Sequence, residues 1–176
     1  MQAAHILFPQ FNRGKHLSVV PVGIDQDPFI RLTRDIAEHF GFEKPAALHA
    51  KFIPSLTGGA KMSSSEGTMI NLTDSPKEVE TKIKKYAFSG GRDTIEEHRK
   101  LGGNPDIDVS YQYLRVFFEP DDKKLQKIRD DYKSGKLLTS ELKAILVEKI
   151  NAFLKEHQKK RKLAEKQIDK FILKNQ

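Results

Sequence analysis

Apolar and β-branched residues run together from Leu17 to Val22, a pattern that predicts a buried strand. Asp27-Pro28 then opens a helix, with the aspartate expected as N-cap and the proline at the first helical position. Along that helix Phe29, Ile36 and Phe40 share a face with Leu32 or Thr33 beside them, and Gly41 stands where a left-handed residue closes a helix. Lys51 to Leu56 reads as a second short strand, and Met69 to Leu72 as a third extended piece after a glycine-rich loop. Strand, helix, strand predicts a parallel α/β sheet.

From Ser75 onward every signal is helical. Ser75-Pro76-Lys77-Glu78 has the form of a capping box, and Thr94 to Glu97 repeats it. Asp108 to Glu119 and Asp121 to Tyr132 read as helices. From Thr139 apolar residues recur at Leu142, Leu146, Ile150, Phe153, Leu163, Ile168 and Phe171, as in one long helix or two joined. The chain is therefore expected to divide near Leu72 to Ser75, into an α/β part over 1–74 and an all-α part over 75–176. No internal repeat or low-complexity tract interrupts this plan.

Composition narrows the classes. The 176 residues, 38% hydrophobic, suffice for one compact domain or two small ones. With no cysteine, disulfides, thiolate metal sites and thiol nucleophiles are excluded, and no bound protein metal is expected. No apolar run approaches bilayer-spanning length, and the opening MQAAHILFPQ lacks the basic lead-in of a signal peptide, so a cytoplasmic protein with no membrane partner is expected. The net charge of +7 is localised: Met1 to Pro120 carries 15 Lys and Arg against 15 Asp and Glu, whereas Asp121 to Gln176 carries 16 against 9. A basic segment attached to a neutral one suits a polyanion such as a nucleic-acid backbone, or simply a solvated lysine-rich helix.

Three segments carry candidate chemistry. The loop from Thr57 to Gly67 holds Lys61, Met62, Ser63, Ser64 and Ser65 among glycines. Lysine offers a point charge to phosphoryl oxygens, and hydroxyls and amides donate hydrogen bonds, so the loop could wrap a triphosphate; it could equally be a polar surface turn. Pro21 to Phe29 lies at the carboxyl end of the first strand, where open α/β sheets bind ligands. There Gly23 permits close approach, and Asp25 and Gln26 either fix a polar ligand or only cap the helix. Met1 to Ile6 reads as a small-residue helix.

Lys61 to Ser65 resembles the KMSKS signature of class I aminoacyl-tRNA synthetases, with Ser64 where the commoner form has a second lysine. The block Pro21 to Phe29 resembles the tryptophanyl and tyrosyl members. The run Ala87 to Thr94 (AFSGGRDT), with Ile95 to Arg99 and Gly102-Gly103-Asn104, looks like the archaeal and eukaryotic tryptophanyl-tRNA synthetases. The resemblance covers nearly the whole chain and implies the second half of a Rossmann-like catalytic domain followed by a helical anticodon-binding domain. It implies ATP as substrate with Mg2+ accompanying it, tryptophan and tRNA(Trp) as partners, and a homodimeric full-length enzyme. Lys61, Ser63 and Ser64 would be catalytic, with Lys61 stabilising charge on the pyrophosphate. Gly23, Asp25, Phe52, Ile53 and Lys61 to Ser65 would bind ATP, and Gln2 and Gln26 tryptophan. Lys155, Lys159, Lys160, Arg161 and Lys162, clustered on the last helix, are the expected tRNA contacts.

One signature is missing. None of His5, His16, His39, His49, His98 and His157 sits in a His-x-Gly-His stretch, so the chain is expected to be the carboxyl-terminal half of such an enzyme and inactive alone. The competing readings are a tyrosyl-tRNA synthetase fragment and a non-catalytic helical tRNA-binding module.

Overall fold

The computed structural model describes residues 2–59 and 68–170, which fall into two compact units, Met1–Phe52 and Ile53–Gln176. Lys61, Met62, Ser63, Ser64, Ser65 and Phe171 lie outside the described residues.

The first unit is built from helix α1 (Gln2–Arg13), strand β1 (Val19–Gly23), a 3-10 turn (Ile24–Gln26), helix α2 (Asp27–His39) and strand β2 (Ala46–Ala50). The strands pair in parallel, Val19 opposite Ala46 and Gly23 opposite Ala50, with α2 as the crossover between them. The second strand thus runs over Ala46–Ala50 and not over Lys51 to Leu56. Leu56 instead turns into the core of the other unit, where it is buried, and Pro54 has no N–H to offer a ladder. Nor is Met69 to Leu72 a strand. Its carbonyls are taken by side chains, Met69 O by Lys82 Nζ at 3.0 Å and Leu72 O by Gln158 Nε2 at 3.1 Å.

Helix α2 also departs from expectation at its start and on its face. The N-cap is Gln26, while the Asp27 carboxylate reaches sideways to Arg31 Nε at 2.7 Å and His49 Nε2 at 3.1 Å. The buried stripe is Ile30, Thr33 and Ala37, whereas Phe29 and Phe40 are exposed, because these smaller residues let α1 lie close. The end is as read: Gly41 has φ 67°, its N–H reaches Glu38 O at 3.1 Å, and Phe42 N reaches Ala37 O at 2.9 Å. Those two bonds form a Schellman closure. Gln10, 2% exposed, then ties α1 to the chain beyond, donating to Glu43 O and accepting from Glu43 N, each at 2.9 Å.

The second unit contains α3 (Pro76–Tyr86), α4 (Ile95–Leu101), α5 (Val109–Tyr113) continued by a π turn (Leu114–Phe118), α6 (Asp122–Lys133), α7 (Thr139–Glu165) and a 3-10 turn (Ile168–Lys170). Ser75 closes a full capping box with Glu78, and Thr94 accepts from Glu97 N as N-cap of α4. α7 is one helix. It buries Leu142, Leu146, Ile150 and Leu154, packed with Val79, Ile83, Val109, Leu114 and Tyr132, while Phe153 and Leu163 on it, and Ile168 in the 3-10 turn beyond its end, stay exposed.

The glycine turn of AFSGGRDT belongs to this core. Asp108, fully buried, accepts from Gly90 N at 2.9 Å, Tyr132 OH at 2.8 Å, Ser110 N at 2.9 Å and Tyr111 N at 3.2 Å. Burial and the Asp108 charge together push the Tyr132 phenol well above the ordinary tyrosine range. A side chain at Gly90 would collide with the Asn104 carbonyl, so the chain approaches itself there as only glycine allows.

Candidate functional site

At the carboxyl end of β1 the structure brings together residues that the sequence had only grouped. Gln2, on α1, donates from Nε2 to Gln26 Oε1 at 3.1 Å, joining the two expected tryptophan ligands across 24 residues. Gly23 is extended, with φ −67° and ψ 153°, so its small size serves space and not a positive φ. A Cβ there would stand 2.8 Å from Asp25 Oδ1 and 3.3 Å from the Phe52 ring, so Gly23, Asp25 and Phe52 form one contact group. The 3-10 turn Ile24–Gln26 aims Asp25 and Gln26, and the Asp27 bonds to Arg31 and His49 hold that turn against α2 and β2. The arrangement offers amide donors and acceptors beside a carboxylate and an aromatic face. Such groups suit an amino acid and a nucleoside. Ile53 lies in the second unit, partly buried against its core.

The Lys61 to Ser65 loop itself lies outside the described residues, but its two flanks are held. Before it, Ser55 N donates to Gly59 O and Gly59 N to Ser55 Oγ, at 2.9 and 3.1 Å, closing a tight turn. After it, Lys82 Nζ grips Met69 O and Asp74 Oδ2, the latter at 2.6 Å, and Asn71 N donates to Asp74 Oδ2 at 2.9 Å. Gln158 of α7 donates to both Leu72 O and Asp74 O at 3.1 Å. Burial works to raise the Asp74 carboxyl, yet the Lys82 and Asn71 hydrogen bonds outweigh it and leave the group below the usual aspartate range. Sequence reading missed this clamp. Nothing in local spacing links Gln158 to a carbonyl more than eighty residues earlier.

The cationic cluster on α7 is divided. Lys155, Lys159 and Lys162 line a cleft of about 710 Å³, whereas Lys160 pairs with Glu156 at 2.6 Å and Arg161 with Glu165 at 3.3 Å. A helical period of 3.6 residues makes this division inevitable for five cations so closely spaced.

No helix among the described residues is long and apolar enough to cross a membrane. A relative from Sulfurisphaera tokodaii named Tryptophan--tRNA ligase is 62% identical over 159 residues, 89% of this chain and 42% of the relative. A human relative named Tryptophan--tRNA ligase, cytoplasmic, is 52% identical over 88% of this chain and 34% of its own length. The chain thus spans well under half of the curated relatives it matches. The crystal structure of tryptophanyl-tRNA synthetase from Aeropyrum pernix superposes with a TM-score of 0.85 at 42% identity, over 90% of this chain and 44% of that one. A family model described as tRNA synthetases class I (W and Y) matches residues 1–155, and the chain belongs to that family.

Proposed function

We propose that this chain forms the carboxyl-terminal part of an enzyme that activates tryptophan with ATP and transfers it to tRNA(Trp). The observation that carries the reading is the Gln2–Gln26 amide contact beside Gly23, Asp25 and Phe52 at the carboxyl end of a parallel strand. Accepting from Gln2 through Oε1 turns the Nε2 amino group of Gln26 away from its neighbour, available as a donor to substrate. The identity to tryptophanyl relatives from archaea and human supports tryptophan over tyrosine. In this reading residues 1–74 are the second half of a Rossmann-like catalytic domain and 75–176 a helical anticodon-binding domain.

The reaction joins a tryptophan carboxylate oxygen to the α-phosphorus of ATP and expels pyrophosphate. Gln2 and Gln26 hold the amino acid; Gly23, Asp25, Phe52 and Ile53 bind ATP with Met62 and Ser65 of the loop. Lys61, with Ser63 and Ser64, meets the charge that grows on the departing pyrophosphate, an electrostatic contribution with no covalent intermediate. Mg2+ accompanying ATP shares that neutralisation. The complete enzyme is proposed to be cytoplasmic and homodimeric, and this chain alone inactive for lack of the first class I signature.

Ligand-dependent melting of the chain tests the site, because a ligand that binds only the folded state raises the melting temperature. Tryptophan is expected to raise it, tyrosine at equal concentration not, and Gln26→Ala to abolish the tryptophan shift. Protection by tRNA alone would replace this reading with a helical RNA-binding module.

A further inference from the structure

The segment that carries Lys61 has both of its described ends fastened to the helical unit by side chains distant in sequence. At the entry, Tyr113 OH, on α5, donates to Pro54 O at 2.9 Å across 59 residues, and Phe88 N donates to Leu56 O at 2.7 Å. Tyr113 is 6% exposed, and burial pushes its phenol up to about 12, so the hydroxyl keeps its proton and remains a donor. At the exit, Lys82 Nζ, on α3, donates to Met69 O at 3.0 Å and to Asp74 Oδ2 at 2.6 Å, and Asn71 adds two bonds to the same carboxylate. The Asp74 side chain is 7% exposed and that of Lys82 19%, a burial that an ion pair bears only when its polar atoms are satisfied. The Pro54 and Met69 carbonyls belong to no helix or strand, so these side chains set where the chain stands.

We propose that Tyr113 and Lys82 are positioning residues for adenylate formation, which fix the entry and the exit of the Lys61 segment on the helical unit. The proposal rests on the reading that Lys61 meets charge on the departing pyrophosphate. A charge acts in a transition state only where it is held, and a misplacement of about 1 Å, even from a change far from the chemistry, costs about a hundredfold in rate. Freeing either carbonyl lets that end of the segment shift, while the tryptophan contacts at Gln2 and Gln26, in the other unit, keep their bond to each other. The loss therefore falls on turnover and not on tryptophan affinity.

Tryptophan-dependent ATP–pyrophosphate exchange by the complete enzyme tests this, with melting curves to verify folding. Tyr113→Phe, which removes the hydroxyl and keeps the ring, and Lys82→Met are each expected to lower kcat by about tenfold with the tryptophan KM unchanged. Added to Lys61→Ala, either is expected to cost nothing further, because a positioning residue has no effect once the group it positions is gone. Lys149→Met, which breaks the comparable Lys149–Glu119 pair, 2.8 Å apart on the same unit, is expected to turn over as the parent does. Parent-like exchange by either folded variant, losses that multiply with that of Lys61→Ala, or an equal loss from Lys149→Met would overturn the positioning role. If Lys82→Met does not fold, Tyr113→Phe, alone and with Lys61→Ala, decides. No tryptophan-dependent exchange by the parent would overturn the activation reading and this proposal together.

Discussion

Asp108 shows how a single side chain organises the segment that marks the family. Its carboxylate accepts four hydrogen bonds, from Gly90, Ser110, Tyr111 and Tyr132, and so joins the glycine turn to α5 and α6. Truncation would take this acceptor from the Gly90, Ser110 and Tyr111 N–H groups, leaving Tyr132 OH only Thr139 Oγ1 at 3.1 Å, and hydrogen bonds to a charged group contribute about 1.5–3 kcal/mol each, though not additively. Asp108→Ala should therefore lower unfolding free energy by about 3 kcal/mol or more in urea titration, with Asp108→Asn losing less. A loss under about 1 kcal/mol would show that the turn is held by its glycines alone. Much at this scale was legible. Asp108 stood at the start of a predicted helix, and Gly23, Asp25 and Gln26 were recognisable from their place after an apolar run. The Gln2–Gln26 contact was not, because a residue pair 24 apart on different elements has no periodicity to betray it.

Elements were read correctly where local rules and tertiary packing agree. The Ser75 box and the Gly41 closure satisfy their own backbone groups and form as expected, and of the second expected box the Thr94 cap on Glu97 N forms. The two later strands failed because short apolar stretches such as Lys51 to Leu56 satisfy strand propensity and loop packing alike, and only a partner strand decides. Five residues, Ala46–Ala50, found β1, and the others found helices. α7 was read as continuous apolar recurrence, yet packing separates its two halves: Leu146 is fully buried and Leu163 is 54% exposed. Leu146→Ala is expected to cost about 2–5 kcal/mol and Leu163→Ala under about 0.5 kcal/mol, read from equilibrium denaturation of the chain. Similar costs would mean that the second half of the helix is packed as well as the first.

Across the molecule the charge is segregated: the whole +7 excess lies beyond Pro120, on the helical unit, while the unit bearing Gln2, Asp25 and Gln26 lies in the neutral stretch. In the proposed function the charged stretch is the part that holds an RNA backbone. Sequence alone revealed the segregation, since charge is additive along a chain, and helical spacing already sets Lys155, Lys159 and Lys162 apart from Lys160 and Arg161, but it could not reveal the cleft that the first three line or the glutamates that pair with the other two. The central claim is that these residues serve tryptophan activation, and amino-acid-dependent ATP–pyrophosphate exchange by the complete enzyme tests it most directly. Tryptophan should support exchange and tyrosine should not, and Lys61→Ala should slow it about a hundred- to thousandfold with tryptophan affinity little changed, the loss expected for one charge-stabilising contact. Exchange driven by tyrosine, or a Lys61→Ala enzyme whose rate is that of the parent, would contradict the account.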